Sequence, residues 1–328
     1  MTGKRWFTLG LGCWLLFTAA ASAGPTEAKW DVGIRDSYLR GIGEPDIWSA
    51  ADAIGVTQIE VAVDKTLGCK EVFESSDVSY SIATPEGRQK LGARFAEKKK
   101  SICAFCTVHR FNKDESDRPA VEWIGKVAEA ARDLGVPVVM VPVPGGRGMS
   151  DDEFIERGKR FLGALVPIAK RTGVHIALEN LQLFWNRVEV LDPVLKSLPT
   201  DRVGLGHDVT NMYWYGHPLD KIYELAEAVA PYVRHYCHAK NERYPEDKKN
   251  VLRTPPGWQY SEHATSVREG DIDFRRILHM YAKAGFRGVV TIEDDSLGHH
   301  DAAGKRKVLI DDVKFLREII AELEKQYD

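Results

Sequence analysis

The sequence predicts a single-domain (βα)8 barrel over residues 24–328, preceded by an N-terminal signal peptide over residues 1–23. Three observations carry the fold. One pattern of helix stop followed by strand start recurs four times, apolar β-branched runs alternate with amphipathic helical stretches, and polar residues end successive apolar runs. Such alternation implies a parallel sheet, and eight units in a chain of this length close most naturally into a barrel. A doubly wound open sheet is the rival, disfavoured because no glycine-rich phosphate loop follows the first strand.

The chain opens with Lys4 and Arg5, runs apolar from Trp6 through Phe17 and reaches Ala21-Ser22-Ala23 before Gly24, the order of a cleavable secretory signal. The apolar run is too short to span a bilayer comfortably. A lipoprotein anchor at Cys13 fits poorly, because Cys13 lies inside the apolar stretch, and a twin-arginine signal lacks its arginine pair. The expectation is an exported protein, periplasmic or extracellular, with no membrane span after cleavage. Cleavage removes two positive charges and no acid, which takes the formal net charge from −3 to about −5. That balance gives no reason to expect a nucleic-acid partner. Oligomeric association is left open.

The recurring stop appears at Ala53-Ile54-Gly55-Val56, Asp133-Leu134-Gly135-Val136, Arg171-Thr172-Gly173-Val174 and Lys283-Ala284-Gly285-Phe286. Glycine is favoured just past a helix end because the left-handed conformation there costs it no Cβ clash. Strands are expected at 32–35, 56–63, 102–109, 136–143, 174–179, 203–208, 233–240 and 288–293. Helical stretches lie between them, as at 119–134, 151–171, 219–229, 272–284 and 303–325.

Four cysteines remain after cleavage, Cys69, Cys103, Cys106 and Cys237, and an oxidising compartment permits disulfides among them. Cys103-Ala-Phe-Cys106 has the spacing of a redox or zinc motif. It sits in an apolar run with no second such pair, so buried structural thiols are the better reading.

Barrel chemistry belongs at the carboxyl ends of the strands. Strand five ends at Glu179-Asn180, strand six at His207-Asp208, strand seven at His238-Ala239-Lys240 and strand eight at Ile292-Glu293. Side chains alternate along a strand, so Glu179 shares a face with Ala177, Asp208 with Gly206 and Gly204, and Glu293 with Thr291, opposite the large apolar residues. The carboxylates therefore point into the mouth, and His207 points outward. Any one of these acids alone has an ordinary reading as a loop acceptor or a helix cap. Four polar groups in register on successive strands are different, because three inward carboxylates resist desolvation unless protons or a cation compensate them. Three carboxylates and an imidazole suit one divalent ion, Mn2+ first, with Mg2+, Co2+ or Zn2+ as other occupants.

Around this set, Glu60 faces inward with Gln58, His109 ends strand three on the inward face and Lys240 shares the face of His238. Each is a substrate-binding candidate, with a loop or solvated role as the alternative. The long loop 241–269, containing Arg243, Trp258, Tyr260 and His263, is a candidate lid, from which Arg243 and His263 are further substrate contacts. Aromatic residues Trp185, Tyr213, Trp214, Tyr215 and Trp258 near strand ends suit stacking against sugar faces, with core packing as the plainer role for many of them.

The ordered combination Leu178-Glu179-Asn180, Gly206-His207-Asp208, His238-Ala239-Lys240, Glu269-Gly270-Asp271-Ile272-Asp273-Phe274 and Gly285-Phe286-Arg287-Gly288 leading to Ile292-Glu293 resembles the xylose isomerase-like TIM barrel superfamily, in its sugar phosphate isomerase/epimerase branch. The resemblance implies metal ligation by Glu179, Asp208, His238 and Glu293, with Glu179 and Glu293 as a catalytic acid/base pair in a carbohydrate isomerase or epimerase that works through an enediolate. Ketose 3-epimerases of that family carry a histidine three residues after the strand-six Asp, where this chain has Asn211. They carry a glutamate six residues after the strand-five ligand, where it has Trp185. Both departures argue against free-ketose epimerisation. A metal-dependent lyase and a non-catalytic sugar-binding barrel are the alternatives. Superfamily DNA repair endonucleases need more histidines and a basic surface than this chain offers. Export makes unphosphorylated keto sugars or glycosides the expected substrates.

Overall fold

The computed structural model describes residues 30–74, 78–107, 116–142, 145–146, 148–181 and 183–327. The expected signal peptide and His109 lie outside the described residues. Eight parallel strands, β1 (Asp31–Arg35), β2 (Gln58–Val63), β3 (Ser101–Thr107), β4 (Val138–Val141), β5 (His175–Glu179), β6 (Val203–Asp208), β7 (Val233–Ala239) and β8 (Val289–Ile292), form a closed barrel in sequential order, with β8 pairing back onto β1. Each strand is followed by a helix of the outer ring: α1 (Ile47–Ala53), α2 (Pro85–Glu97), α3 (Arg118–Leu134), α4 (Asp151–Thr172), α5 (Val188–Lys196), α6 (Leu219–Val229), α7 (Phe274–Lys283) and α8 (Ala302–Tyr327).

All four glycine stops hold, with φ of +77° at Gly55, +70° at Gly135, +73° at Gly173 and +99° at Gly285. All four strands that follow begin one or two residues later than the apolar run suggests, and at three of them the backbone gives the reason. Val56, Val136 and Phe286 donate their N–H groups back to Ala51, Ala131 and Tyr281, while the glycines before them donate to Asp52, Arg132 and Ala282. These paired bonds close a Schellman turn, so the first apolar residue after the glycine still belongs to the helix cap. At Gly173 a single bond to Ala169 does the work, and β5 begins only one residue after Val174.

Two apolar layers separate inside from outside. The large cluster between strands and helices takes Val174, Ile176, Leu178, Val203, Leu205, Val290 and Ile292, the outward residues expected from alternation. A smaller cluster fills the barrel interior with Cys103, Ala104, Val138, Met140, Ala177, Tyr236 and Val289. A register shift between Ile59 and Glu60 against β3 turns both Cys103 and Ala104 inward. Cys69, Cys103, Cys106 and Cys237 are buried and unbridged. No helix among the described residues is long and apolar enough to cross a membrane.

Candidate metal centre

The barrel register sets the inward polar residues side by side. Gly206 pairs with Glu179, Asp208 with His238, and His238 with Thr291, the residue two before Glu293. One ligand atom from each of Glu179, Asp208, His238 and Glu293 lies within 4.8 Å of all the others, and all four residues are buried. Among the described residues this is the one such group.

Each side chain is aimed by a local device. Asp208 caps the short helix Val209–Tyr215, its Oδ1 accepting from Thr210 N at 3.0 Å and Asn211 N at 3.3 Å, which leaves Oδ2 for the cluster. The cap role and the site role are thus split between two oxygens of one carboxylate. Asn180 locks β5 to β6, donating to Asp208 O and accepting from Asp208 N, both at 2.8 Å. His238 places Nε2 2.8 Å from Glu60 Oε2, and Tyr236 donates to the same oxygen. The other nitrogen, Nδ1, faces Glu293 Oε2 at 3.3 Å and Glu179 Oε1 at 3.8 Å.

Two further cations offset the acids. Lys240 Nζ sits 2.8 Å from Asp208 Oδ2 and 3.8 Å from Glu293 Oε2, and Arg35, the last residue of β1, donates to Glu293 Oε1. Burial works to raise the Glu293 carboxyl, but Lys240, His238 and Arg35 outweigh it and draw it down to about 2. Burial works to lower the His238 imidazole, and Glu60, Glu293 and Glu179 together hold it well above its ordinary range. The centre is therefore an array of charges that are stable only against one another.

Whether the set suits a metal ion is decided by its loose ends. His238 Nδ1 and Glu293 Oε2 are buried and make no hydrogen bond, and Asp208 Oδ2 meets the Lys240 ammonium at 2.8 Å. Buried polar atoms are ordinarily satisfied, so two orphans converging with the carboxylates of Glu179 and Asp208 mark a place for a cation. Oxygen-rich donors with one imidazole fit a divalent ion.

Glu60 and Lys240 thus stand in the centre, while His207 points outward and bonds Tyr281 of α7. Arg243 is exposed on the loop after β7, where its N–H donates to His263 O at 2.8 Å. His263 packs between Tyr244 and Trp258, at ring separations of 4.6 and 5.7 Å. Both stay in the loop, with no bond to the acid cluster among the described residues. That loop is closed at its base by the pairing of Asn241–Glu242 with Ala264–Thr265. It packs on the helix after β6 through Arg253, which lies over the rings of Tyr213 and Tyr244 at 4.2 and 4.0 Å. Trp185 and Tyr213 are fully buried, so packing occupies them.

Sequence reasoning missed Arg35, Tyr236, Tyr38 and Asp295. Arg35 ends β1 just as the acids end their strands, and Tyr236 shares the alternation phase of His238, so both carried a signal. Tyr38 and Asp295 sit in turns after β1 and β8, where no periodicity points to them. A cavity of about 650 Å³ opens at the other end of the barrel, near Trp30, Gln58 and Ser101. It is not where barrel chemistry is found.

A family model described as xylose isomerase-like TIM barrel matches residues 48–319. An uncharacterized protein of Methanocaldococcus jannaschii is 24% identical over 212 residues, which are 62% of this chain and 66% of that protein, so the match spans just under two thirds of the relative. Among solved structures, the chain is similar to a D-tagatose 3-epimerase-like protein, with a TM-score of 0.60 and 16% identity over 92% of this chain and 100% of the other. The IOLI protein with a binding zinc atom has a TM-score of 0.62 and 16% identity, covering 91% and 99%. Mannonate dehydratase of Streptococcus suis has 0.60 and 14%, covering 91% and 94%. At these identities the likeness establishes the fold.

Proposed function

The chain belongs to the xylose isomerase-like TIM barrel family, and from that premise we propose that it is a metal-dependent sugar isomerase or epimerase acting on a keto sugar or sugar derivative through an enediolate. The observation that carries this reading is the meeting of Glu179, Asp208, His238 and Glu293 within 4.8 Å, with a glutamate at each end of the four-strand arc. Those four side chains would hold one divalent ion, Mn2+ first among the candidates. When bound, the ion supplies Lewis acidity that polarises a carbonyl and its neighbouring hydroxyl.

The protein's own residues divide the remaining work. Glu179 and Glu293 form the acid/base pair, one carboxylate taking the proton from the hydroxyl-bearing carbon next to the carbonyl, whose electron pair moves onto the carbonyl oxygen, and the other returning a proton to carbon. Which carbon receives it separates epimerisation from aldose–ketose isomerisation. Glu60 keeps the His238 ring turned toward the cluster, and Arg35 and Lys240 offset the excess negative charge. Similarity to a mannonate dehydratase supports a second reading, a lyase that uses the same proton abstraction to expel a hydroxyl.

The test is proton NMR in deuterated water with metal-loaded protein and a panel of keto sugars. Deuterium uptake without loss of water supports the isomerase, and net dehydration moves the assignment to the lyase. Sugar binding that is undiminished in Glu293→Gln, with no exchange in the native protein, would overturn catalysis altogether.

A further inference from the structure

Beyond Lys240, away from the acid cluster, the mouth is walled by three residues from three different loops. Tyr38 lies in the turn Asp36–Leu39 after β1, Asp295 in the turn Asp295–His299 after β8, and Tyr260 in the loop after β7. These strands are neighbours in the barrel. Tyr38 donates to Asp295 Oδ1 at 2.5 Å, and Tyr260 donates to Asp295 Oδ2. Lys240 Nζ stands 4.0 Å from Asp295 Oδ2 and 2.8 Å from Asp208 Oδ2, so a single lysine separates this wall from the cluster.

The wall still has capacity to bind. A carboxylate offers about four acceptor positions, and the tyrosines use two of them. The Asp295 side chain keeps about a third of its surface open to solvent. Burial, with help from Asp295, holds both phenols above their ordinary range, so they remain protonated donors with a free acceptor lone pair. A flanking pair of aromatic rings, an accessible carboxylate and a lysine are what a hydroxyl-bearing carbon chain needs: acceptors and donors for its hydroxyls and apolar faces for its C–H groups.

We propose that Tyr38, Asp295 and Tyr260 form the subsite for the polyhydroxylated tail of the substrate, beyond the end that meets the ion. The inference rests on the metal-centred reading of the site and goes further by assigning where the rest of a carbohydrate lies. A two- or three-carbon ligand would occupy the cluster alone, whereas a five- or six-carbon chain would reach the wall.

The test compares two inert probes that share a metal-binding head and differ in their tails. Acetohydroxamate has no polyol tail; D-gluconohydroxamate, with D-galactonohydroxamate as its diastereomer, carries one. Binding to the Mn2+-loaded full chain is measured by calorimetry, with thermal melting to verify folding. At least one polyol hydroxamate is expected to bind at least tenfold more tightly than acetohydroxamate. That advantage is expected to shrink to less than threefold in Asp295→Asn and to fall in Tyr260→Phe. The proposal is overturned if neither tail improves binding, or if the advantage survives in Asp295→Asn. It is also overturned if both probes weaken in parallel, which would make the trio a tie between loops. Failure of acetohydroxamate itself to bind would instead bring down the metal reading, and this proposal with it.

Discussion

His238 turns one ring nitrogen to Glu60, with Nε2 2.8 Å from Oε2, and so commits the other to the acid cluster. A carboxylate behind a ligating histidine fixes its tautomer and ring orientation. Both partners are fully buried, and Tyr236 anchors the Glu60 oxygen from the side. Glu60→Gln should keep the barrel folded, judged by circular dichroism, and weaken Mn2+ binding about 10- to 100-fold. Calorimetric titration that finds native affinity in the variant would deny Glu60 this positioning role.

A ligand that binds the folded state alone stabilises it by mass action. Mn2+ at a hundred times its dissociation constant should add about 2.7 kcal/mol of stability. The accompanying rise in melting temperature should reverse with a chelator and be absent in Asp208→Asn. A melting curve indifferent to both manganese and chelator would end the metal assignment.

Lys240 serves two acids at once, Asp208 at 2.8 Å and Glu293 at 3.8 Å. Replacing it with methionine keeps the buried stem and strips the charge from beside two carboxylates. Breaking a buried ionic set by removing one partner costs about 3–5 kcal/mol. That cost should appear in chelator-treated protein and be largely restored by Mn2+, which replaces the missing charge. Equal losses with and without the ion would show that Lys240 is not part of the same electrostatic balance.

Glu242 is fully buried. Burial pushes its carboxyl up to about 8, despite the opposing pull of Tyr244, Lys240 and Arg253. The folded chain therefore holds a proton that the unfolded chain, with an ordinary value of about 4.3, releases. Stability from this group is complete below the unfolded value and is lost as pH rises through about 8. Glu242→Gln has no proton to lose, so its melting temperature should gain on the native protein between about pH 5 and about pH 8. A gap that stays constant across that range would contradict the assignment.

Much of this molecule is written in short-range pattern. The helix stops at Gly55, Gly135, Gly173 and Gly285 were readable because a left-handed residue after a helix is a local requirement. The inward aim of Glu179, Asp208 and Glu293 was readable because side chains along a strand alternate with period two. What that period cannot state is which residues on other strands stand opposite. The bond from Arg35 to Glu293 spans 258 positions and exists because β8 closes onto β1. Glu60 reaches His238 across the barrel, and Asp295 gathers Tyr38 and Tyr260 from two other loops. Sequence by itself determined the elements, their faces and the acids at the strand ends. Only closure of the barrel decided which cation, carboxylate or phenol each would meet, because strand register and closure are properties of the whole sheet.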